Sequence, residues 1–566
     1  MQKSQPTTIF FLLLLCLPSL WAAATPSEKA AALLAGLIET NDPGLAVMVA
    51  QNGKILFEQG CGLADREHHV PIRPQTTFLI ASLTKQFTAA AILKLQEEGK
   101  LSVNDKLSKY LPNFPRGDEV TLRHLLTHTS GLHDYTITPD FRSRATNSTA
   151  TTKVLLAALI ESAKQNPYDF DPGAEWRYNN SGYTLLGYIV EQASGKTYGD
   201  FLRENFFRPL RMTHTGVYRA HAGSPHETRG YCLGTNGFER AVNFDPSWFG
   251  GAGVLCSTVA DLNRWNEGIF NGRLLDAASL QAAFTPVKED VAQANSDNGY
   301  GFGWEVRRAR GLRVILHTGG LNGFRCILLR VPDEKMTMAI LANAGPGRTN
   351  AIPELLARQL LEIFLADKLA PLPSLNPNVS PQSYDVLSGL YKLAGKILTV
   401  SRRGPHLFVQ AGDDPEMEIF PESELKFFSK TEMQITFVKD ERGTPVKLFL
   451  RTYSGIDLMA PRAQNVTEAQ VDPAVYDGLV GSYDYGDGVV DSQGRRVATL
   501  TVTREGNHLF AQLTGQPKLE IFPQSETEYF WKVVDAQVTF VKDAAGKVTK
   551  AIHHQGGSII DAPKIQ

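Results

Sequence analysis

The sequence lacks the features that mark several broad classes of protein. With 57 Lys and Arg against 59 Asp and Glu, a formal net charge of -2 and no long basic block, it has no electrostatic footprint for nucleic acid. Beyond the first 24 residues no apolar run is long enough to span a bilayer. Cysteine is scarce: Cys61, Cys232, Cys256 and Cys326 follow the N-terminal segment without CxxC or Cys/His spacing, which argues against a zinc site. These four allow one disulfide or buried free thiols. No cofactor motif is found. Ala193-Ser194-Gly195-Lys196-Thr197 ends like a phosphate loop, but Val190 stands where its first glycine belongs, which excludes that mode of nucleotide binding.

What is present points to several domains. At 566 residues the chain is too long for one core, and 43 % hydrophobic with 20 % charged residues is the composition of soluble domains. Lys3, an apolar run from Ile9 to Trp21 carrying Pro18, and Ala22-Ala23-Ala24 read as a secretory signal over residues 1–24. Cys16 follows Leu13-Leu14-Leu15, without the small residue of a lipoprotein signal. The protein is therefore expected to be exported, periplasmic or extracellular, and without a membrane span.

The pattern then predicts a helix from Ser27 to about Thr40 and a hairpin turning at Asn52-Gly53. Helical patterns dominate to about residue 280. Strand patterns return from Tyr300 in "GFGWEVRR", "RVILHTGG", "FRCILLRVP" and "MTMAILAN", before a helix within "TNAIPELLARQLLEIFL". Strands at both ends with helices between predict one α/β (α+β) domain over 25–368, its antiparallel sheet flanked by helices and completed by distant segments. Pro371, Pro373, Pro377 and Pro381 mark a linker at 369–383. Beyond it the chain repeats itself: "YDVLSGLY" at 384 returns as "YDGLVGSY" at 476, "HLFVQ" at 406 as "HLFAQ" at 508, "EIFPES" at 418 as "EIFPQS" at 520, and "TFVKDERGTPV" at 436 as "TFVKDAAGKV" at 539. Short alternating runs and glycine turns predict two small antiparallel β-barrels, over 384–463 and 476–566, with a second linker at 464–475.

In "FLIASLTKQFTAAAILKLQEEGKL", an amphipathic helix pattern that stops at Gly99, Ser82 and Lys85 stand three apart and share a helix face. A lysine amine in reach of a serine hydroxyl is one way to make serine a nucleophile. Such a pair also arises by chance. Ser423 and Lys426 repeat it between strand patterns, where they read as surface residues. Two further motifs give Ser82 its context: Tyr178-Asn179-Asn180 before an amphipathic run, and His317-Thr318-Gly319-Gly320 at the end of a strand pattern. Read alone, the first is a helix cap beside a core tyrosine and the second an ordinary strand end. His124 and His128 fit one helical face but have no third ligand for a metal.

In order, Ser-x-x-Lys, Tyr-x-Asn and His-Thr-Gly resemble the active-site elements of the serine β-lactamase and penicillin-binding-protein superfamily, in its class C β-lactamase branch. "LRHLLTHTSGL" and "GAGVLCSTVADLNRW" resemble further segments of that branch, and the resemblance covers about residues 30 to 366. It implies an acyl-enzyme on Ser82, with Lys85 or Tyr178 as base and Tyr178 passing the proton onward. Asn180 would orient the substrate amide and Lys85, and His317, Thr318, Gly319 and Gly320 would line the substrate, Gly320 giving an oxyanion N–H. His317 replaces the commoner lysine, so a weaker, pH-dependent positive charge is expected there. Asn179 stands where relatives often carry serine, and "PLRM" with Arg211 replaces a "PLGM"-like stretch. Sequons occur at Asn147, Asn179, Asn378 and Asn465, and Asn179, inside the expected site, is taken as unmodified.

The whole arrangement resembles D-aminopeptidases, in which a β-lactamase-like domain precedes two lipocalin-like barrels and a barrel loop reaches the cleft. The Gly-rich "DYGDGVVDSQGRR" at 484 to 496 is the candidate for that loop. The resemblance implies hydrolysis of a small-molecule or peptide amide or ester, with D-amino-acid peptides first. A broad esterase, a β-lactamase or D-alanyl-D-alanine carboxypeptidase, and a non-catalytic penicillin-recognising or ligand-binding protein are the alternatives.

Overall fold

The computed structural model describes residues 24–565 apart from 167, 219–227, 235–236, 243, 288–297, 322, 345–351, 394–395, 413, 430–432, 452–456, 464–467, 487–498, 515, 535 and 556–557. Nearly all of the leader reading and most of the loop candidate at 484–496 thus fall outside the described residues. Six helices and seven strands position the site: α1 (Pro26–Ala35), α2 (Thr84–Glu97), α3 (Leu122–Leu126), α4 (Asn180–Ser194), α5 (Val259–Phe270) and α6 (Pro353–Phe364), with β1 (Leu45–Gln51), β2 (Lys54–Cys61), β3 (Gly299–Tyr300), β4 (Glu305–Ala309), β5 (Leu312–Leu321), β6 (Phe324–Val331) and β7 (Met336–Ala342).

The seven strands form one antiparallel sheet in the order β3-β4-β5-β6-β7-β1-β2. As expected from strands at both ends of the domain, β1 pairs with the distant β7, Leu45 opposite Ala342 and Gln51 opposite Met336. The hairpin turn holds Asn52 and Gly53 at positive φ, 52° and 75°. β1 shows why the sheet lies between layers. Leu45, Val47 and Val49 pack with Leu34 of α1 and Leu356 and Leu360 of α6, while Ala46, Met48 and Ala50 join the core on the other face, with α2 and α5.

The helix α2 is not amphipathic as the pattern suggested. Every side chain from Thr84 to Leu93 is buried. Its polar members are partnered inside the fold: Trp265 Nε1 donates to Gln86 Oε1 at 3.1 Å, and Thr88 Oγ1 donates to Gly251 O at 2.6 Å. It ends at Glu97, with Gly99 at φ 69° beyond it. The first helix is also shorter than expected, ending at Ala35.

The repeat becomes two eight-stranded antiparallel sheets whose strands neighbour in chain order, the first from Gly389–Leu393 to Asp457–Pro461 and the second from Gly481–Asp484 to Ser558–Pro563. Bridges between Tyr391 and Arg462, and between Tyr483 and Lys564, join the first strand to the chain just past the last, so each sheet nearly closes into a barrel. Equivalent contacts recur: Tyr391 Oη donates to Leu387 O and Tyr483 Oη to Leu479 O, and Arg402 pairs with Asp385 as Arg504 does with Asp477. The interiors differ. Where the first barrel buries Leu450 and Ser429, the second has His553 and Trp531, and Tyr485 Oη shares a 2.5 Å hydrogen bond with His553 Nδ1. Ser423 and Lys426 form a turn between two strands, Lys426 N donating to Ser423 Oγ, so this second Ser-x-x-Lys has no helix to support chemistry. Ahead of the first barrel, Ala370 and Arg310 exchange hydrogen bonds that tie the irregular segment to the turn between β4 and β5.

The "PLRM" departure has a backbone consequence. Exposed Arg211 sits at φ 56°, in the left-handed region that favours glycine. Arg211→Gly should stabilise the protein by up to about 1 kcal/mol, the relief of left-handed strain less the larger entropy of glycine in the unfolded chain. Denaturant midpoints of the two proteins check this, and a lower midpoint for the variant would contradict it.

Candidate active site

The site is built around Ser82. It lies in a one-turn 3-10 segment, Ala81–Leu83, that runs straight into α2, so Lys85 projects from the next turn on the same side. Ala81 is held at φ 44°, a strained conformation for alanine just before the serine. β5 clamps the segment from one side. A side chain at Gly319 would lie 2.5 Å from Ile80 O and 3.2 Å from Ser82 N, so only glycine lets the strand come this close.

Lys85 is fully buried, which is rare for lysine without a charged partner in contact. Its Nζ has three oxygen neighbours: Ser82 Oγ at 3.1 Å, Asn180 Oδ1 at 2.9 Å and Ala252 O at 3.0 Å. Desolvation pushes its pKa down to about 7, against an opposing pull from the charge of Asp134. A neutral amine has two N–H bonds and one lone pair. If the N–H bonds serve Asn180 and Ala252, the lone pair is left for the Ser82 hydroxyl proton.

Each neighbour is delivered by its own backbone device. Asn180 opens α4, whose N-cap is Asn179: Asn179 Oδ1 accepts from Gly182 N at 2.9 Å, and Asn179 Nδ2 donates to Leu132 O at 2.6 Å. Asn179 is 4 % exposed, so this sequon has no room for a glycan. The cap reading of the motif is right for Asn179, while Tyr178 and Asn180 on either side of it face the amine. Ala252 ends the turn Pro246–Ala252, in which Gly250 takes φ 43° and ψ -131°. Gly251 lies against Gly187 of α4, where a side chain on either would come within 3 Å of the other's backbone.

Tyr178 packs its ring 4.8 Å from Lys85 Nζ, and the Ser82 side chain acts to lower the pKa of its hydroxyl. Burial drives this phenol well above the ordinary tyrosine range. The rings of Tyr178, Tyr183 and Tyr300 surround His128, at 4.4, 5.1 and 4.4 Å between centroids. His128 was expected on one helical face with His124. Instead α3 ends at Leu126 and His128 takes φ 61°, turning out of the helix. Its Nδ1 accepts from Asn179 N at 3.1 Å, and His124 Nδ1 accepts from Thr121 N at 3.3 Å, so both imidazoles serve helix ends.

His317 corrects a second expectation. The strand places it beside Tyr178, but it is 1 % exposed and burial pushes its pKa down to about 3. Its Nδ1 lies 2.6 Å from Thr318 O and must donate there, so Nε2, 2.8 Å from Tyr300 Oη, accepts. His317 itself carries no positive charge near neutral pH. Thr318 is half-buried, and Gly320 is exposed, where a side chain would meet only Phe324 O, at an ordinary 3.9 Å. The four cysteines are free thiols, and Cys326 donates to Ile80 O at 3.2 Å beneath the Ser82 segment.

The sequence motifs thus converge on one place. Asp134, Thr136, His128, Tyr183, Tyr300 and the Ala252 carbonyl also belong to it but were given no role from sequence. His128 and Ala252 lay inside segments already noted for their resemblance, the one signal that could have found them.

In protein carrying 13C at the lysine Cε, one lysine should titrate near pH 7. The signal should vanish in Lys85→Met. Uniform titration near 10 would contradict the buried amine.

Comparison with known proteins places the chain among relatives. The Beta-lactamase family matches residues 30–361, more than half of the chain, and a Domain of unknown function (DUF3471) matches residues 465–561. Penicillin-binding protein 4* of Bacillus subtilis (strain 168) is 27 % identical over 515 residues, covering 88 % of this chain and 90 % of its own length. Among solved structures, the octameric penicillin-binding protein homologue from Pyrococcus abyssi superposes with a TM-score of 0.53 at 23 % identity, over 76 % of this chain and 99 % of that one. D-amino acid amidase from Ochrobactrum anthropi SV3, complexed with D-phenylalanine, does so with a TM-score of 0.51 at 22 % identity, over 60 % and 97 %. The two structural likenesses bear on the fold.

Proposed function

Because the chain belongs to the β-lactamase family of serine hydrolases, we propose that it is an exported enzyme that cleaves amide or ester bonds through an acyl-enzyme on Ser82, with D-amino-acid amides and peptides as its leading substrates. The observation that carries this reading is the desolvated Lys85 amine 3.1 Å from Ser82 Oγ. A base near neutrality and a phenol pushed far above it divide the proton work. Lys85, about half neutral near pH 7, takes the Ser82 proton. Tyr178, protonated at neutral pH, hands its phenol proton to the leaving group and takes in its place the one that Lys85 took from Ser82. The Ser82 oxygen attacks the carbonyl, and the backbone N–H groups of Ser82 and Gly320 receive the oxyanion. Water then attacks the acyl carbon and frees Ser82, splitting one hard displacement into two easier ones.

Substrate choice follows from charge. With His317 neutral, the third motif offers no cation to a substrate carboxylate. This weakens the case for a carboxypeptidase acting on C-terminal D-alanine, and for an enzyme dedicated to β-lactams. D-amino acid amides, with a neutral carboxamide, avoid the problem, and the structural neighbour described as a D-amino acid amidase motivates testing them first.

With p-nitrophenyl acetate, p-nitrophenol should appear in a burst of about one equivalent that is absent in Ser82→Ala. Indistinguishable traces would remove Ser82 as nucleophile and favour a binding role. The acylation rate should rise with pH along one limb with its midpoint near 7, because only the neutral Lys85 accepts the proton, and should fall about tenfold per unit below it. A separate ionisation between pH 5 and 7 would mean that His317 does carry charge.

D-alanine amide should be hydrolysed and its N-acetyl derivative should not, if a free amine is recognised. Equal rates would replace the aminopeptidase-like reading with that of a broad esterase or amidase.

A further inference from the structure

The carboxylate of Asp134, on the turn just after the Thr-Ser-Gly-Leu segment, accepts four hydrogen bonds. Oδ1 takes Thr136 N at 2.9 Å and Thr136 Oγ1 at 2.7 Å, and Oδ2 takes Asn180 N at 2.9 Å and Asn180 Nδ2 at 3.0 Å. Thr136 Oγ1, its proton given to Asp134, accepts from the same Asn180 Nδ2 at 3.1 Å. The other end of that amide, Oδ1, faces Lys85 Nζ at 2.9 Å.

This arrangement has a direction. A carboxylate accepts and cannot donate, whereas an amide carries a donor end and an acceptor end of nearly equal size. Turned over, Asn180 would set its oxygen against Asp134 Oδ2 and Thr136 Oγ1, and its NH2 against the N–H bonds of Lys85. Both contacts would be repulsive in a half-buried site. We propose that Asp134 is a positioning residue that, with Thr136, fixes the Asn180 amide oxygen toward Lys85, and thereby leaves the Lys85 lone pair to Ser82. Its acceptor positions already taken, Asp134 holds the amide and does not bind substrate. The proposal rests on the acyl-enzyme reading.

Charge and orientation are separable here. The groups that face the Lys85 amine are Asp134, the phenols of Tyr178 and Tyr183, and the imidazoles of His128 and His317, with Asn180 and the Ala252 carbonyl. Both phenols are driven upward and both imidazoles downward, so all four are neutral at neutral pH and Asp134 supplies the negative charge. Tyr135 and Tyr178 also feel that charge.

The test is the pH profile of acylation by p-nitrophenyl acetate between pH 5.5 and 9.5, in the full chain and in Asp134→Asn and Thr136→Val. Asp134→Asn should lower the plateau by roughly 10- to 100-fold, because the amide is no longer held one way round. It should also move the ascending limb down by about half a pH unit or more, because the charge that favours protonated Lys85 is gone. Thr136→Val, which keeps the charge and removes one acceptor, should lower the plateau and leave the limb in place. A limb unmoved in Asp134→Asn, or a Thr136→Val plateau equal to that of the unmodified protein, would overturn the proposal. Should Asp134→Asn fail to fold, Thr136→Val decides alone by its plateau. Absence of the Ser82-dependent burst in the unmodified protein would instead sink the acyl-enzyme reading.

Discussion

An amine removed from water and surrounded by oxygen is the constraint that the rest of the catalytic domain serves. Lysine ordinarily keeps its charge in solvent, and withdrawing it costs stability as pH falls from the unfolded value near 10.4 to about 7, below which the cost is constant. Holding Lys85 dry requires a helix buried on every face, which explains why α2 carries Gln86 and Thr88 with internal partners in place of a solvated stripe. It also requires a carbonyl brought in by a glycine turn and an amide brought in by a capped helix. The strained backbone at Ala81 and His128 lies at the same place, where the surrounding packing holds it.

Much of this was legible in the chain. The order of strands and helices implied a sheet completed from both ends, because alternating and continuous apolar runs report strand burial directly. The internal repeat reported its own duplication, and the structure adds that the Arg402–Asp385 pair recurs as Arg504–Asp477. Ser82 and Lys85 were picked out by their helical spacing, and Tyr178, Asn180 and His317 by the resemblance of three ordered motifs to a known superfamily. Asp134, Ala252 and Tyr300 could not be found that way. Each meets the site only through tertiary structure, and an aspartate in a turn, an alanine carbonyl or an aromatic in a short strand has no spacing that distinguishes it.

The misreadings have a common origin. His317 was expected to carry some charge because its identity was visible and its burial was not. Helix α2 was read as amphipathic because Gln86 and Thr88 look polar until their partners are known. His124 and His128 fitted one face on a helical wheel, but the helix stops between them. In each case composition was right and environment was missing. The two barrels show the converse: nearly the same strand pattern encloses Ser429 and Leu450 in one and Trp531 and His553 in the other.

The pairing of β1 with β7 also bears on how the domain comes into being. Leu45 and Ala342 are neighbours in the sheet but lie at opposite ends of the domain's sequence, so loop closure must precede the contacts that reward it. During synthesis from the N-terminus, β1 and β2 wait with an open edge, and α2 with one side uncovered, until the final strands arrive. Ser82 and Lys85 are made early yet stay in water through most of translation. The dry surroundings that lower the Lys85 pKa are complete only when the last strand of the domain closes the sheet.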